Sequence, residues 1–237
     1  MSHDQSHPHS PGAHDHGAHD HGADEHGAHE HGAAPHSARE WDERYGSADR
    51  LWTALVNPSL VDEAGTLRPG TALDVGSGEG ADARWLADQG WQVTAVDISR
   101  VAIDRAAQLD SPSDPDERHE IRWLHTDLTV DEVPGSFALI SAHYFPIPQA
   151  HRAVAEKLVA AVTPGGTLLV VAHDESGIRA HGIDPGDYVQ PADYAALLDD
   201  SWSIVTHETR PRARPAGSPA SGQRHMLDVI LRAQRKP

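Results

Sequence analysis

Apolar and polar positions along residues 71–235 switch repeatedly between the two-residue period of strands and the 3.6-residue period of helices. The pattern predicts strand one at 71–76 and a helix over about 80–89 that ends near Gly90. Strand two follows at 91–97, and Ser99 can cap a helix running to about 109. Residues 110–118 read as a polar loop, then strand three at 120–125 and strand four at 137–143. A helix over about 149–162 is expected to stop at Pro164-Gly165-Gly166. Strand five, Thr167 to Ala172, is uninterrupted apolar sequence, as in a strand covered on both faces. Residues 173–190 read as an irregular insertion, and Pro191 opens a short helix to about 199. Residues 202–209 and 224–232 alternate as a last strand pair joined by a Pro/Ser/Arg-rich loop. The alternation predicts the α/β class: a doubly wound, mostly parallel seven-stranded sheet with an antiparallel last strand.

Upstream, residues 37–64 carry apolar positions at helical spacing: Trp41, Tyr45, Leu51, Trp52, Leu55 and Leu60. Asn57-Pro58 marks the end of one helix and the start of the next. Residues 1–36 break every such pattern. They hold 11 of the 19 histidines, no Lys or Arg, and almost nothing apolar larger than Ala. A segment of that composition cannot bury enough surface to offset its chain entropy, so a disordered tail is expected. The expected organisation is a 1–36 tail and a 37–237 domain.

The tail repeats a five-residue unit, as in Ala13-His14-Asp15-His16-Gly17 and Ala18-His19-Asp20-His21-Gly22, with a later copy carrying His29 and His31. Neutral imidazole is a good ligand for zinc, nickel and copper. The tail is therefore expected to bind divalent metal loosely through His14, His16, His19, His21, His29 and His31. A solvated tail with no such task is the competing reading.

Outside the tail, 30 acidic residues face 19 basic ones. This balance repels phosphate backbones, and no basic stripe appears, so no nucleic-acid partner is expected. Without cysteine there is no disulfide, thiol nucleophile or thiolate metal site. No run of 18 apolar residues and no leader pattern occurs, so no membrane span is expected and a cytoplasmic protein is the default.

The chemistry concentrates in Leu73-Asp74-Val75-Gly76-Ser77-Gly78-Glu79-Gly80, a buried strand breaking into a glycine turn before a helix. Glycines let the backbone approach a ligand, a helix start offers free N–H groups, and Asp97 ends the next strand where ribose hydroxyls would be read. An adenosine-containing cofactor is expected. Gly76-x-Gly78-x-x-Ala81 also satisfies the looser dinucleotide pattern, so an NAD(P) oxidoreductase stays open. Asp74 favours a cationic ligand instead, since a carboxylate there is awkward beside a pyrophosphate. His125-Thr126-Asp127-Leu128 places a further carboxylate after strand three.

On these motifs the chain resembles the class I S-adenosylmethionine-dependent methyltransferases, over about residues 37–235. The resemblance implies a Rossmann-like methyltransferase fold and S-adenosylmethionine as cofactor. It implies cofactor contacts from Asp74, Gly76, Ser77, Gly78 and Gly80, from Asp97 and Ile98, and from Asp127 and Leu128. The start, Trp41-Asp42-x-Arg44-Tyr45, is similar to small-molecule enzymes of the tellurite-resistance and thiopurine type. In those relatives an N-terminal aromatic and arginine segment folds over the cofactor, which adds Trp41, Arg44 and Tyr45. Helical core packing for Trp41 and Tyr45, and an Arg44–Glu40 pair, are the alternatives.

Strand four ends in His143-Tyr144-Phe145-Pro146, not in the Asp-Pro-Pro-Tyr or Asn-Pro-Pro-Tyr of amino-methylating relatives. His143 and Tyr144 are the candidates for catalysis, His143 as general base or substrate donor. A polar residue satisfied at a strand end is the alternative for His143. The expected acceptor is a small molecule, methylated on O, N, S or a chalcogen. Arg210, Arg212 and Arg214 would favour an anionic one, or else form a solvated loop. A metal-sequestering protein with an inactive domain of this fold is the reading from a different class.

Overall fold

The computed structural model describes residues 37–52, 54–110, 120–179, 182–212 and 227–237. The expectations of a disordered tail and of its six metal-binding histidines lie outside them, as does all but Asp110 of the polar loop expected at 110–118. The elements are α1 (Ala38–Gly46), α2 (Pro58–Ala64), β1 (Thr71–Val75), α3 (Ala81–Asp88), β2 (Gln92–Asp97) and α4 (Arg100–Leu109). Then come β3 (Arg122–His125), β4 (Phe137–His143), α5 (Ala153–Ala160), β5 (Val162–His173), α6 (Glu175–Arg179), α7 (Pro191–Ala195), β6 (Trp202–Pro211) and β7 (Leu227–Arg235).

The seven strands form one sheet in the order β3-β2-β1-β4-β5-β7-β6. β1 to β5 are parallel neighbours, while β7 inserts between β5 and β6, antiparallel to both. The expected antiparallel last strand is present. The chain order reverses between β1 and β4, which opens the crevice where such sheets bind ligands.

Side-chain alternation along the central strands divides the core. Leu73, Val75, Ile140, Ala142, Leu168 and Val170 pack with α5 and α7 on one face. Ala72, Leu139, Leu169 and Val171 pack with α2 and α3 on the other. The same alternation puts Asp74, Ser141 and His143 on the α2/α3 face, at the carboxyl end of the sheet.

Three expectations need correction. The helical stretch 37–64 is two short helices, and described residues 47–57 are irregular. α1 stops at Ser47, whose hydroxyl donates to the Arg44 carbonyl, and the Leu51 and Trp52 N–H groups donate to the Glu79 carboxylate instead of continuing a helix. The helix predicted over 149–162 is a 3₁₀ turn at Gln149–His151 followed by α5, and its expected last residues already belong to β5. Pro164-Gly165-Gly166 lies within β5. Val162 pairs with Phe137 before a register shift, and β7 joins only from Thr167 onward. Pro164 therefore sits where no strand on the β7 side needs its missing N–H. Residues 173–190, expected to be irregular, contain α6 and a 3₁₀ turn at Pro185–Asp187.

Candidate functional site

The carboxyl ends of β1, β2 and β4 meet at the glycine turn. Gly76, Gly78 and Gly80 hold φ of +66°, +52° and +80°, backbone that side chains with a Cβ rarely adopt. The Gly76 and Ser77 N–H groups donate to the Val96 carbonyl at 2.9 and 3.0 Å. Space is as tight as the backbone. A Cβ on Gly76 would lie 2.7 Å from the Phe145 ring, and one on Gly78 would lie 2.8 Å from the Tyr45 hydroxyl.

Asp97 ties this turn to β2. Its Oδ2 accepts the Gly78 N–H at 2.8 Å and its Oδ1 the Ser99 N–H at 2.8 Å. Burial pushes its pKa up against these two bonds, which hold it down. Asp74 lies deeper, 3% exposed, with Oδ2 lacking any partner. Burial first, then the charges of Asp82 and Asp97, push its pKa well above the ordinary carboxylate value. The Ser77 hydroxyl is buried and unpartnered too. Orphaned buried polar atoms in a native fold call for a partner. An amino-acid ligand with a cationic amino group fits Asp74, and the glycine cradle fits a ligand pressed against the backbone.

The segment ahead of β1 covers this turn. A capping box starts α1, with Ser37 and Glu40 bonded reciprocally. Asp42 then reaches the start of α4, where its Oδ1 accepts the Ser99 hydroxyl at 2.6 Å and the Val101 N–H at 3.2 Å. Tyr45 is buried, and its hydroxyl accepts the Trp52 indole N–H at 3.0 Å. The Arg44 guanidinium lies 5.4 Å from the Trp41 ring and 5.3 Å from the Trp52 ring, within cation–π range. Trp41, Arg44 and Tyr45 are thus gathered beside the glycine turn.

Two acids that sequence reasoning left unassigned hold the rest of this segment. Glu79 accepts the Leu51 and Trp52 N–H groups and pairs with Arg105 at 3.2 Å. Asp82 accepts the Asn57 backbone N–H and side-chain amide, both at 2.8 Å. Only their burial betrays this role, because acids at or just before a helix start, as Glu79 and Asp82 are to α3, ordinarily read as complementing the helix dipole.

On the β3 side, Asp127 Oδ1 accepts the Thr129 N–H at 2.9 Å and its hydroxyl at 2.7 Å. Leu128 is buried in the core, and the Ile98 carbonyl lies 2.9 Å from His125 Nε2. Asp127 thus serves a local turn.

Beyond β4, His143 is buried, with Nδ1 3.0 Å from the Ser141 hydroxyl and 3.9 Å from Asp82, while Nε2 has no partner. Burial holds its pKa below the ordinary histidine value, which favours the neutral ring. Tyr144 carries φ of 53°, strained for a tyrosine. Its hydroxyl donates to Asp228 Oδ2 at 2.9 Å, and its ring stacks on His173 with centroids 4.4 Å apart. Burial pushes the Tyr144 hydroxyl up. Asp228, unassigned in the sequence reading, thus fixes a predicted catalytic residue.

Residues 72–166 match the methyltransferase domain family model. An uncharacterized methyltransferase of Mycobacterium tuberculosis (strain ATCC 25618 / H37Rv) is 36% identical over 134 residues, 55% of this chain and 65% of that protein. The tRNA 5-carboxymethoxyuridine methyltransferase of Escherichia coli K12 is 32% identical over 122 residues, 50% of this chain and 46% of that protein. The chain thus spans less than two thirds of the length of either relative. Among solved structures, N-methyltransferase NodS from Bradyrhizobium japonicum WM9 in complex with S-adenosylhomocysteine superposes with a TM-score of 0.63 at 19% identity. That match covers 85% of this chain and all of NodS, a likeness of fold. By its fold and its 72–166 segment, the chain is similar to the class I S-adenosylmethionine-dependent methyltransferases.

Proposed function

We propose that this chain transfers the methyl group of S-adenosylmethionine in line to a small-molecule acceptor. The observation that carries the reading is Asp74, a buried carboxyl without a partner on Oδ2 beneath a turn of three positive-φ glycines. When bound, the sulfonium cofactor supplies an electrophilic methyl group, so the protein's task is to bind, orient and exclude water. Asp74 would take the cationic amino group, and Gly76, Ser77, Gly78 and Gly80 would face the ligand with backbone. Asp97 would take ribose hydroxyls, and Ile98, Asp127 and Leu128 would border the adenine. Trp41, Arg44 and Tyr45 would cover the cofactor.

His143 and Tyr144 would face the acceptor, His143 as a neutral donor or base through Nε2. His143→Ala should lower turnover while leaving S-adenosylhomocysteine affinity unchanged. Wild-type turnover in that variant refutes the role.

The relative named for a tRNA nucleoside supports a second reading with a nucleic-acid acceptor. The 30 acidic against 19 basic residues beyond the tail oppose it. Measuring S-adenosylhomocysteine released with a small-metabolite extract and, separately, with total tRNA decides between them. Turnover confined to the metabolite extract supports the proposal, and turnover confined to tRNA supports the alternative.

We also infer that the 1–36 tail binds divalent metal through His14, His16, His19, His21, His29 and His31. Calorimetry with nickel or zinc should give heat with the full chain and little with a chain starting at Ser37. Equal binding by both contradicts it.

A further inference from the structure

We propose that Arg212 anchors an anionic group of the methyl acceptor, so that the acceptor is an organic acid. The inference rests on the methyltransferase reading and names its substrate class.

Arg212 follows β6, which runs parallel to β5 because both are antiparallel to β7. The registers Pro211↔Leu227 and His173↔Asp228 bring the end of β6 to the carboxyl edge where β5 ends. Ligands bind beyond that edge in sheets of this kind. Arg212 is folded onto it. Its guanidinium carbon lies 4.3 Å from the centre of the Tyr144 ring, and its Nη1 donates to His173 Nδ1 at 3.4 Å.

The neighbouring arginine shows what a satisfied one looks like here. Arg210 contacts Glu63 at 2.9 Å and both Asp62 and Glu208 at 3.4 Å. Arg212 has an aromatic face and an imidazole, and among the described residues no carboxylate oxygen lies within 4.0 Å of it. The surroundings are rich in acid. Asp228 gives one oxygen to the Tyr144 hydroxyl and leaves the other unpartnered, and Asp174 caps α6 with Oδ2 through the Ser176 and Gly177 N–H groups. Burial raises the Asp228 pKa and the Arg212 charge is near enough to draw it down, yet among the described residues Arg212 closes no ion pair, which sets it apart from Arg210. A planar guanidinium presents a fork that matches an oxyanion's two oxygens, and its stacking on Tyr144 fixes that fork's plane. Of the three arginines picked out in the sequence, Arg210 is consumed by structure and Arg214 lies outside the described residues.

The test is ligand-observed NMR on the full chain saturated with S-adenosylhomocysteine, whose own affinity is measured first. The probes are matched pairs: benzoate and benzamide, phenylacetate and phenylacetamide, hexanoate and hexanamide. At least one acid should bind at least about tenfold more tightly than its amide. Arg212→Gln should erase that preference by weakening the acid alone, and Arg212→Lys should keep part of it. Affinity for S-adenosylhomocysteine should stay unchanged in both variants. No acid preference in the wild type, or a preference that survives Arg212→Gln, overturns the proposal. Failure of the wild type to bind S-adenosylhomocysteine would instead overturn the methyltransferase reading on which it rests.

Discussion

Asp74 concentrates the account at the scale of one residue. Its raised pKa means the folded chain keeps a proton that the unfolded chain has released above the ordinary value of 3.8. Between those two values the folded state binds more protons, so this group's contribution to stability falls as pH rises. Asp74→Asn removes the effect while keeping the shape. At neutral pH it should raise the thermal midpoint of the ligand-free protein by roughly 2–4 °C, about 1 kcal/mol for a chain this size. The gain should shrink toward pH 4, and S-adenosylhomocysteine binding should weaken at least about tenfold. A midpoint lowered at neutral pH would show that the carboxylate stabilises the free fold. Gly78→Ala should be costly for two reasons, the φ of +52° and the Tyr45 hydroxyl 2.8 Å from the new methyl. A loss of about 1–3 kcal/mol in chemical denaturation is expected. These positions were legible in the sequence because glycines and acids at such spacing have few other uses. Glu79, Asp82 and Asp228 were not, because each finds its partner through long-range folding.

At the scale of elements, the N-terminal segment is held by single side chains. Asp42 joins α1 to the start of α4, and Glu79 draws residues 51–52 onto the glycine turn. Asp42→Ala should cost about 1 kcal/mol, since two donors at the start of α4 lose their acceptor. Glu79→Gln should leave the sheet intact but loosen the cover. Faster limited proteolysis near residue 50, slowed again by S-adenosylhomocysteine, is the expected sign, and an unchanged cleavage rate would remove Glu79 from that role. The strand–helix alternation from 71 onward was readable because each strand is a short apolar run closed by turn residues. The break after α1 was hidden because Leu51, Trp52 and Leu55 keep helical spacing while Glu79 captures the backbone that a helix would need. Pro164 misled in the same way: its effect depends on which side of β5 is paired there, a fact of topology.

The whole molecule places three parallel strand ends, the covering segment and the β6–β7 edge around one crevice. The strand order that reverses between β1 and β4 makes this crevice, and no short motif encodes it alone. Among the described residues no helix is long and apolar enough to cross a membrane. The central claim is that the crevice takes S-adenosylmethionine rather than a nicotinamide. Calorimetric titration of the purified chain with S-adenosylmethionine, S-adenosylhomocysteine and NADPH, with Asp97→Ala in parallel, tests it directly. The account predicts micromolar binding of the first two, none of NADPH, and at least about a tenfold loss in the variant. Preference for NADPH, or binding of neither sulfur cofactor, would contradict it.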